Sequence, residues 1–246
     1  MFDVFEKLDK FNGIVFHEEE HKYLYDGHEC VSVTTMIKNF EPIFDQELMA
    51  SLYAKKHGLD MFDVLKDWEN IRDRSATVGT EIHKYAEMRF GQKCYTPNSD
   101  LEIPVNLMGM IEDFYSMAKG RLIPIKMEWV VGDKDKGICG MIDKLFYNVK
   151  AKELQIWDYK TSKKIDSKSM YNKKMVGPLK HLDSCELVKF SLQLGIYKKI
   201  IEENCQIKLG NSYICWINEV NDTFKVVDTL DLSDEVDLIW NVYEHI

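Results

Sequence analysis

In the stretch GICGMIDKLFYNVKAKELQIWDYKTS, Gly137 to Ser162, two aspartates stand among residues that otherwise ask to be buried. They are Asp143 and Asp158, and Lys160 follows two residues after the second. A hairpin turning between Lys150 and Ala151 sets Asp143 opposite Asp158. Opposed residues have Cβ atoms about 4.5–5.5 Å apart, where like charges destabilise a sheet. A divalent cation relieves that repulsion, since Mg²⁺ favours one or two carboxylates together with water and phosphate oxygens. Lys160, at i+2 from Asp158, shares its strand face. Two acids and a lysine converging on one point could bind a metal, lower the pKa of a water and stabilise charge on a phosphate under attack. The same spacing also suits a structural ion pair between Lys160 and one aspartate.

Two helical patterns add polar groups. In GTEIHKYAE, His83 and Glu87 lie at i, i+4 and share a helix face. There the imidazole could join a metal and Glu87 could orient it, or both could be surface decoration. Lys189, Gln193 and Tyr197 form a polar line at i, i+4, i+8 on an otherwise apolar helix. They are suited to a phosphate or a base, or equally to an exposed stripe. Between Lys150 and Ile200 there are 12 lysines and five acids, so this span carries +7 while the 246-residue chain carries −9. Charge of this kind suits a nucleic-acid contact or a solvated loop.

These groups need elements to hold them. GIVFHEEEHKYLYDGHECVSVTT alternates as short strands with a turn at Asp26-Gly27. From Glu41 to Lys119 the pattern is helical. Pro42 suits a helix start, Gly58 a helix end, and further helices are expected over about Trp68 to Phe90 and Val105 to Lys119. Strands follow in LIPIKMEWVV, GICGMIDKLFYNV and ELQIWDYKT, then a lysine-rich, poorly periodic segment from Ser162 to His181, too polar to be core. SCELVKFSLQLGIYKKIIEE reads as an amphipathic helix, SYICWINEVNDTFKVVDTL as a hairpin turning at Asn221-Asp222, and Ser233 to Tyr243 as a last helix opened by Ser233. No repeat or linker interrupts the chain.

Composition narrows the function classes. At 45% hydrophobic the chain can bury a sizeable core. There is no apolar run of membrane-spanning length and no signal or transit peptide pattern at the start, so a soluble cytoplasmic protein is expected. The six cysteines include no C-x-x-C pair, which fits reduced thiols and argues against a zinc ribbon. There is no P-loop, so any unwinding would come from a partner.

Taken in order, GTEIH with Glu87, the strand glutamate Glu128 of MEWVV, GMID, WDYKT and QLGIY resemble the PD-(D/E)xK nuclease superfamily, in particular its RecB-type exonuclease branch. The matches are Gly79/His83/Glu87, Gly140/Ile142/Asp143, Asp158/Lys160/Thr161 and Gln193/Tyr197. Ser32, Val33 and Thr34 add a likeness to the subgroup that contains phage exonucleases and the mitochondrial genome maintenance exonuclease.

The resemblance implies an α/β fold with a restriction-endonuclease-like core, a central mixed β-sheet flanked by helices, and an N-terminal β-hairpin and helical elaboration. Residues 1–246 would form one nuclease domain, with about 1–75 as the elaboration and about 76–230 as the catalytic core. It implies Mg²⁺ or Mn²⁺ bound by His83, Asp143 and Asp158 with help from the Tyr159 carbonyl, and Lys160 placing or activating a water. Glu87 and Glu128 are possible acidic helpers. Gln193 and Tyr197 would contact substrate, with Lys189 a further candidate from the helix-face reading alone, and Ser32 and Thr34 would offer hydroxyls and N–H groups to a phosphate. Lys163, Lys164, Lys173 and Lys174 lie on a candidate DNA-contacting arm.

The expected activity is exonucleolytic hydrolysis of single-stranded DNA or DNA ends in recombination, repair or replication, in host cytoplasm if phage-encoded, with recombination or replication proteins as partners. The alternatives are a structure-specific or restriction-like endonuclease and a non-catalytic DNA-end-binding recombination factor. Some relatives hold an iron–sulfur cluster on clustered cysteines; Cys205 and Cys215, ten apart, imply no iron–sulfur cluster here.

Overall fold

A computed structural model describes residues 6–91 and 104–243. Eight strands form one mixed sheet: β1 (Ile14–His17), β2 (Lys22–Tyr25), β3 (His28–Ser32), β4 (Leu122–Asp133), β5 (Ile138–Asn148), β6 (Glu153–Lys160), β7 (Tyr213–Trp216) and β8 (Lys225–Asp228). The helices are α1 (Val33–Lys38), α2 (Gln46–His57), α3 (Met61–Arg89), α4 (Val105–Ala118), α5 (Glu186–Cys205) and α6 (Ser233–Val242). This is a mixed α/β fold with a central sheet flanked by helices.

The long strand β5 organises the sheet. One of its edges pairs along its whole length with β4, antiparallel. Its other edge is shared: β3 runs parallel to its beginning, Ser32 opposite Cys139, and β6 runs antiparallel to its end, from Lys144 opposite Trp157 to Asn148 opposite Glu153. Among the described residues, no strand pairs with that edge between Cys139 and Lys144. β3 and β6 therefore diverge from β5 as a fork.

Each sheet face carries its own core. One packs Ile142, Leu145 and Ile156 under α5 and α6, together with Leu192, Ile196 and Ile239. The other packs Phe146, Trp157 and Tyr159 under α3 and α4, with Ile82, Ala86 and Phe114. Ile138, Ile142 and Leu145 all belong to the first core, so the two-residue alternation of β5 slips by one step at Asp143. Glu128, on the neighbouring strand, lies between the partners of Ile142 and Lys144 and has a φ of 42°. A left-handed residue in mid-strand is strained for a side chain of this type, and such residues gather at functional sites.

Several element boundaries differ from the sequence reading for local reasons. Asp60 caps α3 by accepting from the N–H groups of Phe62 and Asp63, so the helix starts at Met61 instead of near Trp68. Pro42 precedes α2 without entering it, because Asp45 is the cap and its carboxylate accepts from Leu48 N. The β7–β8 connection spans 217–224, since Trp216 pairs with Lys225, and is no tight turn at Asn221-Asp222. Leu232 occupies the N-cap position of α6, and Ser233 instead donates to Asp231 from both its N–H and its hydroxyl. The turn at Asp26-Gly27 has positive φ at both residues, as a tight hairpin requires.

The polar segment 162–181 is irregular, with short 3₁₀ turns at Met170–Asn172 and Gly177–Leu179. It is not all surface, however. Met175 and Leu179 are buried in the first core, and Val176 N donates to Phe40 O at 2.8 Å. Among the described residues, no helix is long and apolar enough to cross a membrane.

Candidate metal centre

The fork holds the polar groups that the sequence singled out. The pairing of β5 with β6 follows the turn between Lys150 and Ala151, and its last rung is Lys144 opposite Trp157. Asp143 then ends the ladder itself: its Oδ2 accepts from Tyr159 N at 2.7 Å. Its Oδ1 lies 3.5 Å from His83 Nδ1, and Glu128 Oε1 lies 3.8 Å from the same nitrogen. One ligand-type atom from each of His83, Glu128 and Asp143 falls within 4.8 Å of the others.

The trio differs from the sequence reading in one member. Asp158 does not converge with it at that distance; its Oδ2 is 2.6 Å from Lys160 Nζ instead. The slip in β5 explains the change. Asp143 leans toward α3 and the Tyr159 N–H, whereas Asp158 keeps step with Ile156 and Lys160 on the face of the first core. Lys160 also lies over the Phe190 ring, 4.8 Å from its centroid.

Electrostatics ties the groups together. Burial opposes charge on His83, but Asp143 and Glu128 outweigh it and raise the imidazole pKa to about 10. Burial likewise opposes charge on Asp143, yet His83, Lys160 and the Tyr159 N–H hold its carboxyl below the ordinary value. Asp158 goes the other way: burial and the Asp143 charge push it up to about 6, against the pull of Lys160. Two neighbouring acids with pKa values driven apart are a recurrent mark of catalytic sites.

The residues fit a divalent cation. Asp158 Oδ2 is held by Lys160, the buried Glu128 Oε1 comes no closer than 3.8 Å to the His83 imidazole, and hard oxygen donors with one imidazole suit a divalent cation. Glu128 thus belongs to the converging groups more firmly than its sequence context suggested. Glu87 is buried on α3 but is not one of them. The Tyr159 ring lies in the second core, and its N–H is given to Asp143.

The remaining candidates surround the fork. Ser32 is the N-cap of α1; its hydroxyl accepts from Thr35 N and lies 3.0 Å from the Thr34 hydroxyl, so these groups cap the helix locally. Lys189 forms ion pairs with Glu186 and Glu41. Tyr197 is buried, and Gln193 Nε2 donates to its hydroxyl at 3.2 Å, which leaves Gln193 as the partly exposed member of the pair. Lys163, Lys164, Lys173 and Lys174 are exposed; Lys174 pairs with Asp183 at 2.5 Å, and Lys173 approaches the Phe44 ring. Among the described residues, Lys163 and Lys164 have no ion pair.

Gly140 has a steric reason. A Cβ there would lie 2.5 Å from Tyr197 Cε1 and 2.8 Å from its hydroxyl, so the ring can rest on β5 only against a glycine. Gly140→Ala is expected to cost about 1–3 kcal/mol. Calorimetry should therefore show a melting temperature lower by roughly 2–10 °C. An unchanged value would mean that Tyr197 does not lie against the strand.

No protein-family model and no curated protein matches the chain. Among solved structures, similarity extends to the crystal structure of SSO0001, at 14% identity and a TM-score of 0.36 over 98% of this chain and 83% of that one. It extends also to a candidate exonuclease from Eubacterium rectale, at 13% identity and a TM-score of 0.36 over 97% of this chain and 77% of the other. At that TM-score neither likeness bears on the activity of this chain.

Proposed function

We propose that the chain is a divalent-metal-dependent deoxyribonuclease, an exonuclease acting on single strands or DNA ends. The supporting observation is the convergence of His83, Glu128 and Asp143 within 4.8 Å at the fork, beside the Lys160–Asp158 pair. His83, Glu128 and Asp143 would hold Mg²⁺ or Mn²⁺, with Asp158 adjoining. A bound ion of this kind supplies positive charge to a scissile phosphate and acidity to an attacking water.

The chain's own groups supply the rest. Lys160 Nζ, fixed by Asp158 and Phe190, donates toward a non-bridging phosphate oxygen and the incoming water. The Asp158 carboxylate, with a pKa of about 6, would accept the water proton near neutral pH. The water oxygen would bond to phosphorus as the bond to the leaving sugar oxygen breaks; that oxygen takes a proton from solvent water, and the proton accepted by Asp158 returns to solvent. Lys163 and Lys164, three and four residues past Lys160, would meet the phosphates beyond the one attacked.

Two measurements follow from these placements. Metal uptake requires His83 to give up a proton held to about pH 10, so Mn²⁺ affinity by calorimetry should rise roughly tenfold per pH unit between pH 7 and 9. In His83→Ala the slope should flatten. A wild-type affinity independent of pH would remove His83 from the ligand set. Charge reversal at Lys163 and Lys164 should weaken DNA binding and make the salt dependence of log Kd shallower by about two phosphate contacts. Reversal at Lys174 should act mainly by releasing its bridge to Asp183.

Covalently closed circular DNA tests the mode of attack. It should resist cleavage under conditions that degrade the same DNA once linearised. Nicked circles would favour the endonuclease reading.

A further inference from the structure

Asn218 lies in the connection after β7 and is 4% exposed. Ile217 N donates to Lys160 O at 2.9 Å. Beyond Lys160 the chain leaves the sheet, so the carbonyls of Thr161 and Ser162 need other partners. Asn218 Nδ2 reaches both, at 3.2 and 2.8 Å, and Trp216 Nε1 donates to Ser162 O at 2.7 Å. Asn218 Oδ1 accepts from Val220 N at 2.9 Å, which fixes the end of the amide that faces the strand. On the far side of Thr161 stands Gly79, where an added Cβ would lie 3.5 Å from the threonine hydroxyl, one helical turn before His83. One buried amide therefore ties the loop after β7 to the strand end that carries Asp158 and Lys160, next to the helix that carries His83.

We infer that Asn218 is a positioning residue for Lys160, acting through the backbone of Thr161 and Ser162. Both of those residues are partly exposed, so water could satisfy their carbonyls without Asn218. Water would satisfy them without fixing where the strand ends. Lys160 is the last residue of β6, and its ammonium must remain against Asp158 although the chain turns away immediately afterwards. Displacement of a reacting group by about 1 Å can cost on the order of a hundredfold in rate.

This inference rests on the nuclease reading, and the experiment separates the two. Asn218→Ala and Asn218→Ser are compared with wild type for single-turnover cleavage, for KM with DNA, and for backbone hydrogen exchange over 159–162. Asn218→Ala is expected to lower the rate roughly 10- to 100-fold with KM within about twofold, and to raise exchange at 159–162 while the rest of the sheet stays protected. Asn218→Ser, which keeps one donor, should recover part of the rate. In a Lys160→Ala background, Asn218→Ala should change the rate by less than about twofold, because the group it positions is gone. An active wild type with Asn218→Ala equally active, or the same fold-loss in both backgrounds, would overturn the assignment. An inert wild type would overturn the nuclease reading, and unchanged exchange in Asn218→Ala would then overturn the positioning role on its own.

Discussion

Asp158→Asn is expected to abolish cleavage and to make the metal-free protein more stable. The carboxyl is almost fully buried, and its pKa is pushed from an ordinary 3.8 to about 6 by burial and by Asp143. A raised acid favours the fold when protonated. Below about pH 3.8 the group is neutral in both the folded and unfolded states and costs nothing. As pH rises through about 6 the cost of keeping it charged grows, toward about 3 kcal/mol. Asparagine removes that cost while preserving shape. The melting temperature without metal should thus rise by several degrees at pH 8 and change little at pH 4. Cleavage should fall by about 10³ or more, since a proton acceptor and the anchor of Lys160 are lost together. A variant that cleaves normally, or one that melts lower at pH 8, would contradict this account of Asp158.

The second large effect is expected at Lys160, with the opposite sign on stability. In Lys160→Ala the buried Asp158 loses the ammonium 2.6 Å away. Removing one partner of a buried pair costs about 3–5 kcal/mol. Lys160 keeps 18% of its side chain exposed, so the lower end of that range applies. The cleavage rate should fall by about 10²–10³, because the ammonium that donates toward the phosphate and the incoming water in the proposed reaction is gone. Metal affinity should hold or rise, since a positive charge has been taken away from a cation site. Rate loss with metal binding intact separates a group that acts in the reaction from one that only assembles the site. Equal losses in rate and in Mn²⁺ affinity would make Lys160 a structural ion pair.

Asp143 and Asp158 were legible because a strand has a period of two and a hairpin has one centre. Turn residues at Lys150 and Ala151 were enough to place the β5–β6 register, and the register brought the two acids to the same level. The fork was not legible. It depends on β3 and β6 sharing one edge of β5, a long-range arrangement that no local pattern encodes. The slip of alternation at Asp143 was hidden for a related reason, since it lies beside a left-handed Glu128 on another strand. That slip is why Asp143 joins His83 and Glu128 while Asp158 turns to Lys160.

The line Lys189, Gln193, Tyr197 was correctly read as one face of a helix, but its burial was not. Tyr197 lies under the sheet because Gly140 leaves room for its ring, a complementarity between residues far apart in sequence. Asn218 and Phe190 gave no signal at all: an asparagine in a loop and a phenylalanine on an apolar helix are ordinary until the strand end they hold is seen. The early start of α3 was legible in principle from Asp60, whose carboxylate meets two free N–H groups at the helix entrance.

The most direct test is cleavage of end-labelled linear single-stranded and duplex DNA by wild type and Asp143→Asn, with Mg²⁺, Mn²⁺ or a chelator. Asparagine retains an oxygen able to accept from Tyr159 N and removes the charge, so the variant should fold and yet fail to cleave. The account predicts degradation from DNA ends by wild type with either metal, none with chelator, and none by Asp143→Asn under any condition. Cleavage that survives the chelator, or a folded Asp143→Asn that cleaves as wild type does, would contradict it.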